Sequence, residues 1–152
     1  MKKHRLNPKC YIGIRTYSLS IRTYMKQNYF KDESMVNFVK NVLIEISKKH
    51  NFDIEAYCFM PDHLHLLAQG KEGDSDLKTF VKGFKQKSGY EYSKVFKTRL
   101  WQPSYYDHVL RREESLKDVA LYILNNPVRR GLVSDVCNYP FLGSLVFDIN
   151  EL

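Results

Sequence analysis

The sequence predicts an α+β fold: an antiparallel sheet of four to five strands, helices on one face, and a further helix near the C-terminus. Three observations predict it. Segments of alternating apolar and polar residues recur along the chain. Apolar stripes with three- and four-residue spacing lie between them. The two kinds of segment follow one another as strand, helix, strand, strand, helix, strand, helix.

Residues 10–24 are rich in β-branched and aromatic types, and Ile12, Ile14 and Thr16 alternate with Gly13 and Arg15. They read as one long strand, or as a strand that turns back around Ser18–Ser20. Asp32 or Ser34 can cap a helix over 34–49, whose stripe is Met35, Phe38, Val39, Val42, Leu43 and Ile46. A strand follows at 52–59. Met60-Pro61-Asp62 reads as a turn, because proline removes a donor and restricts the residue before it. A third strand runs from His63 to about Gln69.

Asp74 or Ser75 can open a helix that ends near Lys87, with Leu77, Phe80, Val81 and Phe84 buried. Residues 88–104 read as irregular or as short elements, and 105–110 as a fourth strand. Ser115 with Asp118 resembles a capping pair for a last helix carrying Leu116, Val119, Ala120 and Ile123, stopped near Asn126 by Pro127. No element is expected after Gly131. The first six elements give the split βαβ order of a ferredoxin-like fold.

The chain has 152 residues, consistent with one domain over 1–152, and its hydrophobic fraction of 43% suffices for a core. No apolar run is long enough to span a bilayer, so no membrane partner is expected. The basic N-terminus is followed by no apolar run and does not read as a secretory leader. Cys10, Cys58 and Cys137 are far apart and odd in number, which excludes a zinc motif or a disulfide framework. A cytoplasmic protein with free thiols is expected.

The net charge is +7, unevenly spread. Residues 1–31 hold eight Lys and Arg and no Asp or Glu, and 78–112 hold nine against Glu91 and Asp107. The two segments are expected to form one face that attracts a phosphate backbone, with Arg15, Arg22, Lys82 and Lys85 as DNA contacts. Eleven tyrosines add surface for stacking.

His63-Leu64-His65 is the most informative local feature. Residues two apart in a strand share a face, so the imidazoles project together while Leu64 and Leu66 enter the core. The preceding turn is expected to bring the pair near an edge of the sheet, within reach of substrate. Two histidines can grip one ion but need a third ligand from elsewhere. Asp62 reads chiefly as a turn residue, with orientation of an imidazole as a lesser role.

Tyr122 and Asn126 lie four apart in the last helix, hence on one side of it. If that helix packs over the histidines, Asn126 offers an amide oxygen to the ion and Tyr122 a hydroxyl to a phosphorus. A phenol is a weak nucleophile at neutral pH, because its ordinary pKa is about 10, and a metal-polarised phosphate offsets this. Periodicity alone does not select Tyr122 over Tyr105 or Tyr106.

Three ordered segments together resemble a known family. They are Tyr57-Cys-Phe-Met-Pro-Asp-His-Leu-His-Leu-Leu67, Leu100-Trp-Gln-Pro-Ser-Tyr-Tyr-Asp-His-Val-Leu110 and Tyr122-Ile-Leu-Asn-Asn-Pro-Val-Arg-Arg-Gly-Leu-Val133. Over about residues 10–133 the chain is similar to the single-tyrosine HUH transposases of the insertion-sequence 200 type. Within them it looks most like those associated with repetitive extragenic palindromes. The resemblance implies a ferredoxin-like domain that binds a DNA hairpin and cuts one strand beside it. It implies Mg²⁺ or Mn²⁺ on His63 and His65 and a nucleophile at Tyr122. Asn126 matches the polar metal ligand, a position usually held by glutamine in the simpler insertion-sequence members. The tyrosine would become joined to a 5′ phosphate and release a 3′ hydroxyl. Trp101, Arg129 and Arg130 are further expected DNA contacts, and a homodimer is compatible with the family. An inactive hairpin-binding relative and a nuclease that uses water are the alternatives.

Overall fold

The computed structural model describes residues 5–151. Five strands form one antiparallel sheet in the order β4-β1-β3-β2-β5. They are β1 (Thr16–Arg22), β2 (Phe52–Met60), β3 (His63–Gly70), β4 (Tyr106–Val109) and β5 (Leu142–Gly143). The helices are α1 (Glu33–Lys49), α2 (Leu77–Phe96), α3 (Leu116–Leu124) and the one-turn α4 (Asn126–Arg129). The order of the first four strands and the antiparallel ladders are those of the ferredoxin-like expectation. Among the described residues, no helix is long and apolar enough to cross a membrane.

The strand pattern divides the side chains between two layers. Tyr17, Leu19 and Ile21 of β1, Ile54 and Phe59 of β2, and Leu64, Leu66 and Ala68 of β3 face α1 and α2. That layer is strongly aromatic, with Phe52 stacked on Phe80 and Phe30 edge-on to Phe59. The opposite layer is thinner: Ala56, Cys58, Met60 and Leu67 meet Ala120, Ile123 and Leu124 of α3. So α1 and α2 cover one face, and α3 lies on the other.

Local chemistry sets the boundaries. Asp32 accepts a hydrogen bond from the backbone N–H of Ser34 and caps α1. The cap of α2 is Asp76, which accepts from the N–H groups of Lys78 and Thr79, and not Asp74 or Ser75. The helix expected to stop near Lys87 continues to Phe96, because Ser88 and Tyr92 prolong the buried stripe of Phe84 by two turns. Ser88 is polar but turns its hydroxyl back to the Phe84 carbonyl at 2.6 Å, so it does not break the helix. The N-terminal strand starts only at Thr16 and does not fold back; Pro8–Tyr11 forms a 3-10 turn instead. Its proline sets that turn.

The tail after Gly131, whose weak periodicity assigns no element, supplies β5, the fifth strand of the four to five expected. Leu142 and Gly143 pair with Cys58 and Tyr57. Gly143 leaves room for the Tyr57 ring, since a Cβ would lie 2.8 Å from the Tyr57 hydroxyl. Two residues carry no periodicity, so the strand left no trace in the pattern.

Candidate active site on the open face of the sheet

Pro61 and Asp62 make the two-residue turn between β2 and β3, so His63 opens β3. Outside contacts brace the turn. The Thr23 N–H donates to the Asp62 carbonyl, and the Phe30 N–H donates to the Pro61 carbonyl. β3 is the middle strand of the five, so the histidines stand at a strand end and not at a side edge. Leu64 and Leu66 are fully buried on the α1/α2 side, which leaves His63 and His65 together on the α3 side. Their ring centroids are 5.2 Å apart and their planes nearly perpendicular at 85°.

Asp62 is more than a turn residue. Its Oδ1 lies 2.8 Å from His63 Nδ1. A carboxylate only accepts, so Nδ1 carries the proton and the Nε2 lone pair is left for a cation. Burial holds the His63 pKa below its ordinary value, against the opposing pull of Asp62. His65 is driven further, to about 4, by burial first and then by His63, Arg129, Arg22 and Arg130. Both rings are thus neutral at pH 7, the state in which imidazole binds metal.

Asn126 is 4% exposed and reaches this pair: its Nδ2 lies 3.3 Å from His65 Nδ1. Its Oδ1 accepts a hydrogen bond from Arg129 Nη2 at 3.2 Å. Among the described residues, no three His, Cys, Asp or Glu converge, so a site here relies on the amide as its third donor. Two neutral imidazoles with one amide oxygen beside them are a donor set that can hold a divalent cation, with positions left for oxygen ligands.

Tyr122 stands elsewhere. The residue is 61% exposed, whereas Asn126 is 4% exposed. The Arg129 guanidinium covers the ring and also donates to the Tyr122 carbonyl. Tyr122 lines a 670 Å³ cavity between α3 and the C-terminal tail, with Leu121, Arg129, Tyr139 and Ile149. Helical spacing put Tyr122 and Asn126 on one side. Pro127, lacking an N–H, breaks the ladder after α3, and the two side chains diverge in burial.

The basic segments do not form one face. Arg22 ends β1 beside His63, and its charge, with those of Arg129 and Arg130, is felt at His65. Arg5, Lys78, Lys82 and Lys85 line a separate 550 Å³ cavity with Tyr105, on the side of the sheet covered by α2. Arg15 is exposed just before β1, at the sheet end opposite the histidines, where its Nε donates to the Ile12 carbonyl. Lys82 is exposed on α2. Of two further expected DNA contacts, Lys85 is half-buried and Trp101 is buried. The Lys85 ammonium is held by the carbonyls of Gln102 and Pro103, and burial lowers its pKa to about 8. Trp101 is 6% exposed among Phe30 and Phe84, and its indole N–H donates to Ser88 Oγ at 2.8 Å. It is an apolar anchor, and stacking on a base does not fit its position.

Residues 15–126 match the family described as "Transposase IS200 like". The protein belongs to this family of single-tyrosine HUH transposases. The matched span runs from the start of β1 to Asn126 and so contains every side chain of the histidine cluster. A REP-associated tyrosine transposase of Escherichia coli (strain K12) is 27% identical over 103 residues. That alignment covers 68% of this chain but only 61% of the relative's length. Among solved structures, a REP-associated tyrosine transposase bound to a REP hairpin superposes with a TM-score of 0.78. It covers 93% of this chain and 82% of its own, and at 22% identity it supports the fold. A Deinococcus radiodurans crystal structure is 27% identical with a TM-score of 0.56, covering 82% of this chain and 97% of its own.

Proposed function

We propose that this transposase is a metal-dependent single-stranded DNA endonuclease and strand transferase that cuts beside a DNA hairpin through a tyrosine-linked intermediate. The observation that carries the reading is the meeting of His63, His65 and Asn126 beneath the helix that bears Tyr122. Family membership and a related structure captured with a REP hairpin support the hairpin as partner.

His63 and His65 would hold Mg²⁺ or Mn²⁺, with Asn126 Oδ1 as the third donor once turned from Arg129. The bound ion supplies polarisation of the scissile phosphate and neutralises the charge that builds on its oxygens. Asp62 keeps the His63 lone pair aimed by holding the proton on the other nitrogen. Arg22 and Arg130 add positive charge on the same side, which attracts the phosphate backbone.

Tyr122 is the nucleophile in this reading. Its hydroxyl oxygen bonds to phosphorus and the P–O3′ bond breaks. The phenolic proton is lost to solvent, and the departing 3′ oxygen takes up a proton. The product is a 5′-phosphotyrosine and a free 3′ hydroxyl, so the energy of the broken ester is kept and the step can be reversed onto another 3′ end. Tyr122 is 61% exposed and covered by the Arg129 guanidinium, so delivery of its hydroxyl to a phosphate would release that contact.

The test is a denaturing gel with labelled single-stranded DNA that carries the hairpins flanking the gene, run with and without Mn²⁺. A protein–DNA adduct is expected from the native protein and lost with Tyr122→Phe, with His63→Ala and without metal. Cleavage with no adduct in either protein would show water as the nucleophile. Tight binding with neither cleavage nor adduct would make the chain a hairpin-binding protein.

A further inference from the structure

Among the described residues, the helix on the histidine face covers only its β2–β3 half. α3 packs on β2 and β3. The β4–β1 half beside it is floored by small residues, Ser18 and Ser20, both partly exposed. The register sets what borders them. Ser20 pairs with His65 on one side and with Tyr106 on the other, so Tyr106, Ser20 and His65 form one row across three strands.

Tyr106 shares the face of the histidines. Its neighbours Asp107 and Val109 turn to the other side, where Asp107 meets Tyr11 and Arg5 and Val109 packs on the aromatic core. Tyr106 is 61% exposed, a large aromatic on the outermost strand beside a catalytic-type cluster. Strand spacing puts its Cα roughly 10 Å from that of His65, with only a serine between. That gap admits one flat ring over Ser20.

Charge gives the groove a direction. At the upper end Arg22 closes β1 beside His63. At the lower end His108, on the same face as Tyr106, binds Glu114 at 2.9 Å. A polyanion is therefore favoured toward the histidines and disfavoured toward the start of α3. Aromatic rings beside a basic end, over a small-residue floor, suit unpaired bases: the ring offers a stacking face that a paired base cannot use.

We propose that the groove between Tyr106 and His65, floored by Ser20, is a base-binding subsite. It takes one unpaired base, stacked on Tyr106, from the nucleotide next to the phosphate at His63 and His65. This rests on the proposed reading only for that phosphate; the stacking itself requires no chemistry. Tyr106 thereby helps to select single-stranded over duplex DNA at the cut site.

The experiment uses the full chain with Tyr122→Phe, which retains the groove. Single-stranded DNA carrying a gene-flanking hairpin is substituted with 5-iododeoxyuridine at one position at a time along its unpaired flank. It is irradiated, and the cross-linked peptides are mapped by mass spectrometry. The expected cross-link is to Tyr106. In parallel, anisotropy of a short labelled oligothymidylate is measured with Tyr106→Phe and Tyr106→Ala. The phenyl ring should hold affinity within about twofold, and alanine should weaken it roughly five- to a hundredfold. Matching thermal melts for the two variants separate lost stacking from lost folding.

Alanine binding like wild type, or cross-links only to other aromatics such as Tyr24 or Tyr90, would overturn the proposal. So would an equal dependence of blunt duplex binding on Tyr106, or an effect on self-association alone. A cross-link at Tyr106 without any Tyr122 adduct in the native protein would keep the subsite and remove the nucleophile. An adduct that is indifferent to Tyr106→Ala would do the reverse.

Discussion

Arg129 lays its guanidinium on the ring of Tyr122, with Cζ 3.6 Å from the ring centroid. The same side chain donates to the Tyr122 carbonyl and to Asn126 Oδ1. One residue thus engages both the expected nucleophile and the expected third metal donor. Only a planar, five-donor group can do all three at once.

Exchange of Arg129 therefore separates charge from shape. Arg129→Lys keeps the charge and loses the fork and the stacked plane. If shape matters, the lysine and alanine variants should both form the Tyr122 adduct about tenfold more slowly, which corresponds to about 1.4 kcal/mol in the barrier. Single-turnover gels measure this. A lysine variant as fast as the native protein would reduce Arg129 to a point charge.

Asp62 governs His63 through one hydrogen bond of 2.8 Å. Its replacement by alanine should weaken Mn²⁺ binding about ten- to a hundredfold, the usual cost of removing such an orienting partner. Asp62→Asn still offers an oxygen to Nδ1–H and should fall between the two. Mn²⁺ titration followed by electron paramagnetic resonance in the Tyr122→Phe background reads affinity without turnover. Equal affinity in all three proteins would leave Asp62 as a turn residue only.

Much of this arrangement was legible in the residues. The alternation at 63–66 put both imidazoles on one face and both leucines in the core, because a strand allows no other assignment. Leu116, Val119, Ala120 and Ile123 fixed α3, and its Ser115 cap is present, accepting from the Asp118 N–H. What periodicity could not show was contact between distant segments. The Arg5–Asp107 pair joins residues 102 apart. β5 has too few residues to carry a pattern. Trp101 sits in a segment without periodicity, so its burial depends on Ser88 and Phe84 of a helix read more than two turns too short. The grip of Arg129 on Asn126 and Tyr122 had a faint signal, since they lie three and seven residues apart on helical turns.

Trp101 is the chain's single tryptophan, so its emission reports one environment. Buried among Phe30 and Phe84, it should emit at short wavelength in the folded protein and be little quenched by added single-stranded DNA. Trp101→Ala removes a buried ring and leaves Ser88 Oγ without that donor, a loss of about 3–5 kcal/mol. Urea denaturation measures it. Strong quenching by DNA, or a loss below about 1 kcal/mol, would contradict the anchoring role.

The three thiols should differ sharply in reactivity. Cys58 is fully buried under α3, and burial pushes its pKa up to about 12, while Cys137 is exposed. At pH 8, iodoacetamide should label Cys137 readily and Cys58 only after unfolding. The linkage has a definite sign. A thiol raised in the folded state contributes stability that is present below the unfolded pKa, near 9, and is lost as pH rises toward 12. Cys58→Ala should flatten the decline in melting temperature between those values. Alkylation of Cys58 as fast as Cys137 in the native protein would show that α3 does not shield it.

The two layers of this sheet differ in grip. On the α1/α2 side, interlocked rings resist sliding. On the other, α3 rests on Ala56, Cys58, Met60 and Leu67, a smaller layer without aromatic rings. The smaller cluster lets a short helix open or shift more readily than the aromatic layer that holds the strands. Amide exchange should then be graded across the molecule, fastest in α3 and slowest in β1 and β3. The histidines belong to the stiff part and Tyr122 to the loose one. In the proposed reaction the tyrosine would thus act from the more yielding layer onto a phosphate held by the stiffer one.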